Sequence, residues 1–165
     1  MTEQRPNYIT PAGFTAMRQR YELLFGTERP ALVEVISWAA GNGDRSENGD
    51  YIYGRRKLRE IDRELSHLSR RMKLAKVVDP ARQEDRSRVY FGATVTVVDD
   101  EDVERTVTLV GEDEADAGSG KISWRSPLAN ALKGAAVGDV RRVSLPGVDR
   151  EQEVLAICYP EGNSG

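Results

Sequence analysis

The first half of the chain carries apolar residues at the three- and four-residue spacing of an amphipathic helix. The first such positions are Phe14, Met17, Tyr21 and Leu24. Thr10 and Pro11 precede them, and threonine suits a helix cap while proline suits the first helical position. The pattern therefore predicts a helix that begins at Pro11. It also predicts a kink or break within residues 26–30, because Pro30 has no backbone N–H to donate.

A second helical run carries the clearest apolar seam in the sequence. Its 3-4-3-4 positions are Leu58, Ile61, Leu65, Leu68 and Met72, with Tyr51 and Ala75 in the same register. This spacing is typical of a coiled coil. The apolar face of residues 32–40 offers a partner for it, and Trp38 is predicted to be buried there. Only a short loop separates the runs, so they should form an antiparallel hairpin, an arm of roughly 40 Å for about 27 residues.

The periodicity changes near Pro80, which is predicted to stop the second helix. Runs rich in Val, Ile, Thr and aromatic residues follow, and they predict strands at residues 89–98, 104–110, 121–124, 139–145 and 152–159. Residues 99–102 are predicted to form the turn between the first two strands, and residues 126–134 a short capped helix. The second half is thus predicted to be a small α+β domain.

The whole chain is predicted to be an α+β protein of two domains. An N-terminal antiparallel α-helical coiled-coil hairpin occupies residues 1–79, with its tip at residues 43–51. A polar linker follows at residues 80–88. A small globular α+β domain occupies residues 89–160, and a short tail occupies residues 161–165.

The composition is that of a folded, water-soluble protein. Of the 165 residues, 31% are charged and 39% are hydrophobic, a balance that differs from that of disordered chains. No apolar run approaches the roughly 18 residues of a membrane helix, and the N-terminus lacks the apolar core of a signal peptide. We expect a cytoplasmic protein without a membrane partner.

Two singly occurring residues argue against common kinds of catalytic site. His67 is the one histidine and Cys158 the one cysteine, so a zinc site is disfavoured. A Ser-His-Asp or Cys-His device is disfavoured too, because its general base would have to be His67. Cys158 lies in an apolar run and is predicted to be a buried structural thiol.

Charge is distributed unevenly along the chain. The segment Arg55 to Lys76 holds nine Lys or Arg and three Asp or Glu, whereas Asp79 to Gly118 holds twelve Asp or Glu and four Arg. Opposite signs indicate separate surfaces for separate partners. Glu60, Asp62 and Glu64 lie inside the basic segment and are interpreted as i,i+4 partners of nearby bases.

The sequence GNGDRSENGDYIYG, residues 41–54, joins the two helical runs. Asp44 and Glu47 fit a capping box, with Asp44 as the N-cap of the second helix. The same pair would project from one side of the helix start and could hold Mg²⁺ weakly, with further ligands from a partner. Asp50 would lie about 120° away around the helix. Spacing alone leaves the structural and the chemical interpretation open.

Residues 43–64, GDRSENGDYIYGRRKLREIDRE, resemble the bacterial transcript cleavage factors of the GreA/GreB family. The arginine after Asp44 and the segment KLREIDR are more similar to GreB than to GreA. Further likeness lies in ERPALVEVISWAA, VYFGATVTV and SPLANALKGAAVGD, so the resemblance covers roughly residues 8–160. Gly49 departs from the family pattern, because alanine is common at that position.

This resemblance implies an FKBP-like C-terminal domain and bacterial RNA polymerase as the partner. The globular domain would dock at the rim of the polymerase secondary channel, and the coiled coil would enter the channel. The tip carboxylates would help hold a second, weakly bound Mg²⁺ where the 3′ end of backtracked nascent RNA is hydrolysed. The protein would act as a monomer and would have no nuclease activity of its own.

The resemblance also implies roles for individual residues. Asp44 and Glu47 match the catalytic, metal-holding pair of the family. Tip residues that would support the pair are Arg45, Ser46, Asn48, Asp50 and Tyr51. A basic patch that would contact the phosphates of the extruded RNA consists of Arg55, Arg56, Lys57 and Arg59. Helix capping and a solvated helix face remain the structural interpretations of these two sets.

Three other functions stay open. A regulator of the same shape would occupy the channel without cleavage, although the intact GDRSEN segment argues against it. A prolyl isomerase would need an apolar pocket, for which the second half offers Tyr90, Phe91, Trp124 and Tyr159. A purely structural hairpin adaptor would tolerate neutral residues at the tip.

Overall fold

The computed structural model describes residues 6–42 and 48–161, and it confirms the predicted α+β class. The α-helices are α1 Pro11–Leu23, α2 Arg29–Ala40, α3 Gly49–Leu74 and α4 Pro127–Leu132, with a π-helical turn at Leu24–Glu28. The strands are β1 Asn7–Ile9, β2 Ala75–Val77, β3 Thr94–Asp99, β4 Glu104–Val110, β5 Lys121–Ser123, β6 Val140–Leu145 and β7 Val148–Cys158. Short 3-10 turns lie at Pro80–Arg82, Glu112–Glu114 and Ala117–Ser119. A helical region is thus followed by a mixed-sheet domain.

The first helix begins where the sequence predicts. The Thr10 hydroxyl oxygen accepts a hydrogen bond from the Gly13 N–H at 3.1 Å, and Pro11 occupies the first helical position, where no N–H is needed. The predicted break is a π-helical turn, Leu24–Glu28, from which α2 continues directly. Pro30 lies in the first turn of α2, directly after the π-helical turn. A local change of helix type is expected here, because proline removes one donor from the backbone hydrogen-bond ladder.

The helices α2 and α3 form the predicted antiparallel hairpin. The predicted seam on α3 faces the other helices, with Ile61 and Leu65 buried against Leu24. Seam residues that are half-buried are Leu58, Leu68 and Met72. Within the described part of the chain, no helix combines the length and the apolar character of a membrane span.

One glycine sets the distance between α2 and α3. Gly54 is buried in the seam, and a methyl group there would stand 2.7 Å from Ile36 Cγ1, much closer than carbon atoms pack. Ile36 is itself buried, and Ala39, one turn closer to the loop, is fully buried. Small residues therefore let the two helices approach closely at the loop end of the hairpin.

Among the described residues, two ion pairs join α3 to the helices that precede it. Arg20 donates to Glu64 at 2.9 Å and Arg29 donates to Asp62 at 2.8 Å. The expectation of i,i+4 partners is wrong for both acids, because the hairpin brings the bases of α1 and α2 opposite α3. The hydrogen bond from Arg20 lowers the pKa of the Glu64 carboxyl. The Arg20–Glu64 pair therefore stabilises the fold at pH values above the ordinary glutamate pKa, and this stabilisation is lost as the pH falls through the lowered pKa of Glu64.

The second part of the chain is built on a five-stranded mixed sheet in the order β5-β4-β3-β7-β6. Neighbouring strands are antiparallel except β4 and β5, which are parallel. The core between this sheet and α4 includes Val95, Val97, Val107, Leu132 and Val154. The strand predicted at residues 104–110 is confirmed. The strand predicted from Val89 begins only at Thr94, because the Ala93 N–H turns back to the Tyr90 carbonyl.

The N-terminal strand belongs to the same compact unit as the sheet. One unit is Phe14–Leu74, and the other joins residues 6–13 to residues 75–161. Strands β1 and β2 pair in parallel, from Asn7 opposite Ala75 onward. The units therefore divide at the end of α3 and not at the predicted residue 79. Strands of three residues carry too little alternation to be recognised in a sequence.

The residues predicted as a polar linker, 80–88, belong to this second unit, and most of them are exposed. Pro80 is buried against Gly92, where a methyl group would stand 2.4 Å from Pro80 Cβ. Gly92 also has a φ of +89°, which favours glycine. Arg86 donates to the Pro160 carbonyl at 3.3 Å. The packing of Pro80 and the hydrogen bond of Arg86 thus fasten a largely exposed segment to the sheet domain.

Two neighbouring carboxylates, those of Glu114 and Asp113, tie the N-terminal residues to the sheet domain. Glu114 accepts hydrogen bonds from the Thr10 N–H at 2.8 Å and from the Gly111 N–H at 3.0 Å, and the Thr10 hydroxyl also donates to it. The Asn7 amide donates to neighbouring Asp113 at 3.0 Å. The turn that holds both acids therefore fastens the segment that leads into α1.

Two side chains predicted to be buried are exposed. Trp38 is 64% exposed, because it lies roughly half a turn around α2 from buried Ile36. Cys158 is exposed, because the strand register places it beside Thr94. That position lies on the sheet face opposite to Val95, which points into the core.

Replacement of Gly54 by alanine should destabilise the hairpin, although alanine favours helices. We expect a loss of about 1 kcal/mol, because the clash with Ile36 outweighs a gain of up to about 1 kcal/mol in helix propensity. Gly49→Ala is the matched control, since nothing lies within 4 Å of the added methyl group, and it should stabilise. Urea denaturation of both variants checks this, and equal stabilisation by the two would contradict the close-approach role.

Replacement of Glu114 by alanine should cost about 2 kcal/mol of unfolding free energy, because it leaves the N–H groups of Thr10 and Gly111 without their acceptor. Urea denaturation measures this loss. Glu101→Ala, in the exposed turn between β3 and β4, is the control and should change stability by less than about 0.5 kcal/mol. Similar values for the two variants would show that the Glu114 hydrogen bonds contribute little.

Candidate metal and nucleic-acid site at the end of the hairpin

The predicted site lies where α2 ends and α3 begins. Asp44, Arg45, Ser46 and Glu47 lie outside the described residues, so the metal-holding pair and two of its supports stay predictions. Asn48 and the residues that follow it are described. They show how α2 ends before the predicted acidic pair and how α3 begins after it.

Asn48 caps α3 and fastens it to α2. Its side-chain oxygen accepts the Tyr51 N–H at 3.2 Å, which is the hydrogen bond of a helix N-cap. Its amide nitrogen donates to the Ala39 carbonyl at 2.6 Å, which also accepts the Asn42 N–H at 3.1 Å, and so links α3 to the C-terminal end of α2. One side chain thus serves the ends of both helices.

This cap changes the interpretation of the acidic pair. Because α3 begins at Gly49, Asn48 occupies the N-cap position that the sequence pattern assigned to Asp44. The capping-box interpretation of Asp44 and Glu47 is therefore wrong for α3. The angle predicted between Asp44 and Asp50 loses its basis as well, since α3 does not reach back to Asp44. The structural role considered for the pair is filled by another residue.

Two of the predicted supporting residues, Asp50 and Tyr51, lie in the first turn of α3. Asp50 is exposed in the first turn of the helix, where a negative charge interacts favourably with the N-terminal end of the helix dipole. Tyr51 is half-buried, and its N–H is taken up by Asn48. A supporting role toward the acidic pair stays a prediction for both residues.

The structure brings the predicted basic patch together on one exposed stretch of α3. Its members are Arg55, Arg56, Lys57 and Arg59. Lys57 lies 3.6 Å from Glu60, its i,i+3 neighbour. Among residues 6–42 and 48–161, no carboxylate lies within ion-pair distance of the three arginines. Their guanidinium groups face solvent, where they can bind phosphate through paired hydrogen bonds.

Sequence reasoning missed the residue that makes this end of the hairpin narrow. Gly54 falls in the 3-4 register between Tyr51 and Leu58, so the seam pattern would have revealed it if small residues had been counted. The link from Asn48 to α2 had no signal in the sequence. It depends on the position of the Ala39 carbonyl, which only the folded hairpin provides.

The candidates for a metal site are the predicted acidic pair. No group of three His, Cys, Asp or Glu side chains converges within residues 6–42 and 48–161. Asp44 and Glu47 offer carboxylate oxygens, which are the ligands that Mg²⁺ prefers. Two carboxylates alone bind Mg²⁺ weakly, so further ligands would have to come from a partner.

The aromatic residues considered for an isomerase pocket take part in packing. Tyr8 of β1 lies beside Trp124 with ring centroids 4.7 Å apart, and Phe91 stands edge-on to both. The Tyr159 hydroxyl donates to the Arg88 carbonyl at 2.7 Å, and burial raises the pKa of this phenol. Tyr8, Phe91 and Trp124 thus pack against one another while Tyr159 belongs to the core, and this arrangement lends no support to an isomerase.

Comparison with known protein families covers both compact units. A family described as "Transcription elongation factor, N-terminal" matches residues 7–77. A family described as "Transcription elongation factor, GreA/GreB, C-term" matches residues 83–159. The two matches together span the hairpin and the sheet domain.

Individual relatives agree with these families. Transcription elongation factor GreB of Neisseria meningitidis serogroup B is 48% identical over 96% of this chain and 98% of that protein. GreB of Yersinia pestis is 41% identical over 94% and 90% of the two chains. GreA of Cereibacter sphaeroides is 41% identical over 92% and 96%. The chain therefore belongs to the GreA/GreB family of transcription elongation factors and is GreB-like.

Proposed function

We propose that this chain is a transcript cleavage factor of bacterial RNA polymerase. Its hairpin would enter the secondary channel, with the sheet domain at the channel rim, and would stimulate hydrolysis near the 3′ end of backtracked nascent RNA. The observation that carries this proposal is the Asn48 cap, because Asn48 occupies the N-cap position of α3 that was the competing interpretation of Asp44. Membership of an elongation factor family supports polymerase as the partner.

The length and the narrow loop end of the hairpin would suit entry into a channel. α3 has 26 residues, which corresponds to roughly 40 Å of helix. Gly54 lets α2 come close to α3 near the loop, so this end is narrow. A narrow arm can carry side chains into a channel that a globular domain could not enter.

Asp44 and Glu47 would hold Mg²⁺ together with carboxylates of the polymerase. A Mg²⁺ ion held there would supply stabilisation of charge on the phosphoryl oxygens and would make bound water more acidic. The carboxylate oxygens of this chain would accept hydrogen bonds from the attacking water and so orient it toward the RNA phosphate. The protein would supply these groups in trans, and it would not cleave RNA by itself.

The basic patch would hold the extruded RNA beside these carboxylates. Its exposed guanidinium groups neutralise phosphates without regard to base sequence, so this contribution weakens as salt rises. We expect the protein to act on polymerase as a monomer in the cytoplasm, because a single hairpin would supply all of the groups named here.

The double variant Asp44→Asn with Glu47→Gln should bind polymerase normally but lose about a hundredfold or more of the stimulated cleavage rate. Neutral amides can neither hold the cation nor orient water as the carboxylates would. Gel analysis of transcripts from stalled complexes in Mg²⁺ measures this rate. Asp50→Asn is the matched control and should keep most of the activity.

Two results would contradict this mechanism. Unchanged cleavage by the double variant would show that the acidic pair does not act. A wild-type protein that binds polymerase and alters initiation without any RNA cleavage would favour a regulator that only occupies the channel.

The double variant Arg55→Ser with Arg56→Ser should weaken binding to backtracked complexes roughly tenfold at about 0.2 M salt, because two phosphate contacts are lost. It should also make the affinity less sensitive to salt. Arg70→Ser with Lys73→Ser removes the same charge near the other end of α3 and serves as the control. Equal effects of the two double variants would argue for a general charge effect and against a local RNA contact.

A further inference from the structure

Two large aromatic side chains are exposed near the loop end of the hairpin. Trp38 on α2 and Tyr53 on α3 are each 64% exposed. Neither belongs to the buried seam, in which Ile36 faces Gly54. Aromatic side chains of this size usually bury much of their surface, so two exposed rings on one narrow arm indicate a binding surface.

The two rings lie at nearly the same level along the hairpin. Ile36 and Gly54 face each other across the seam and provide the reference point. Counted from this pair toward the loop, Trp38 is two residues away and Tyr53 is one residue away. Because a helix rises 1.5 Å per residue, their levels differ by only about 2 Å.

The two rings also lie on the same flank of the hairpin. At about 100° per residue, Trp38 and Tyr53 each lie roughly 120° from the centre of the buried face of their helix, in the same rotational sense. When two antiparallel helices pack together, side chains rotated in the same sense from the buried face of each helix lie on the same flank of the pair. Arg29 and Asp62 support this geometry, because both are displaced in the other sense and they meet at 2.8 Å.

Charged residues of both signs border this flank. Asp50 precedes Tyr53 by three residues and Glu34 precedes Trp38 by four, while basic residues are in excess on the α3 side. Arg56 and Lys57 follow Tyr53 by three and four residues, which makes them its neighbours on the surface of α3. Exposed rings beside Arg and Lys are the combination that binds single-stranded nucleic acid, because rings stack on bases while cations neutralise phosphates. The excess of basic residues on this part of α3 therefore favours single-stranded RNA over a protein surface as the ligand.

We propose that Trp38 and Tyr53 form a stacking face for unpaired bases of the extruded RNA 3′ segment. This inference rests on the proposed function, since that function brings the RNA to the hairpin. The rings hold bases while Arg56 and Lys57 hold neighbouring phosphates, and every base can stack in this way. Trp38 and Tyr53 bind RNA and take no part in the chemical step.

Alanine variants of the full-length protein test the stacking face. Trp38→Ala and Tyr53→Ala should each lower the affinity for backtracked complexes about tenfold, the size of one lost base–aromatic stack. Cleavage at saturating protein and affinity for polymerase without RNA should stay the same. Trp38→Phe and Tyr53→Phe keep a ring and should keep most of the affinity. Phe25→Ala is the matched control, because Phe25 is 60% exposed but lies on the π-helical turn.

A second experiment changes the RNA and uses the wild-type protein. Abasic nucleotides in the extruded segment should weaken binding of the wild type about tenfold and abolish its advantage over Trp38→Ala. Equal affinities of the wild type and both alanine variants for intact complexes would overturn the proposal. An equal loss of affinity for polymerase without RNA would overturn it too, because the flank would then bind protein.

The outcome for the proposed function is separate. A wild type that does not stimulate cleavage would refute that function. The comparison of intact with abasic RNA in the binding assay would still decide whether the rings stack on bases.

Discussion

The close approach of α2 and α3 at Gly54 is the constraint on which the loop end of the hairpin depends. A side chain larger than hydrogen at this position would meet Ile36, and the helices would have to move apart. Their present spacing keeps the Ala39 carbonyl within reach of the Asn48 amide. A narrow seam also leaves most of the surface of α3 to solvent, which is why basic side chains can crowd there without burial of charge.

The segments that precede α1 and follow α3 are held by a different set of interactions. Strands β1 and β2, which precede α1 and follow α3, are hydrogen-bonded to each other. Glu114 adds hydrogen bonds to Thr10, from a part of the chain more distant in sequence. The hairpin is therefore inserted in the sequence between two paired segments of the second unit, β1 and β2.

Much of the fold could be predicted from local signals. Thr10 with Pro11, and the 3-4 spacing of α3, mark helices because capping and apolar periodicity act over a few residues. The pairing of β1 with β2 could not be predicted, since it joins distant segments of three residues each. Trp38 was misjudged because an apolar residue at the margin of a helical face fits either burial or exposure until the partner helix is placed.

The candidate site was predictable in kind but not in arrangement. The acidic pair and the basic patch stand in one contiguous motif, which the sequence displays directly. The cap was assigned to Asp44 because an acidic residue three positions before a glutamate fits a capping box. Asn48 fits a helix start equally well, and only the observed beginning of α3 decides between them. The alignment of Trp38 with Tyr53 required the register of the two helices, which depends on Gly54.

Because of the two hydrogen bonds of Asn48, the residues that hold the helix ends differ from those proposed to act in the reaction. The ends of α2 and α3 are held by Asn48 and Ala39, and neither belongs to residues 43–47. Substitutions within those five positions can therefore alter charge and metal affinity without removing the groups that close the helices. A lineage that keeps the asparagine could gain, lose or retune the reaction at the end of an unchanged arm, so the hairpin is a scaffold on which new activities can evolve at small cost in stability.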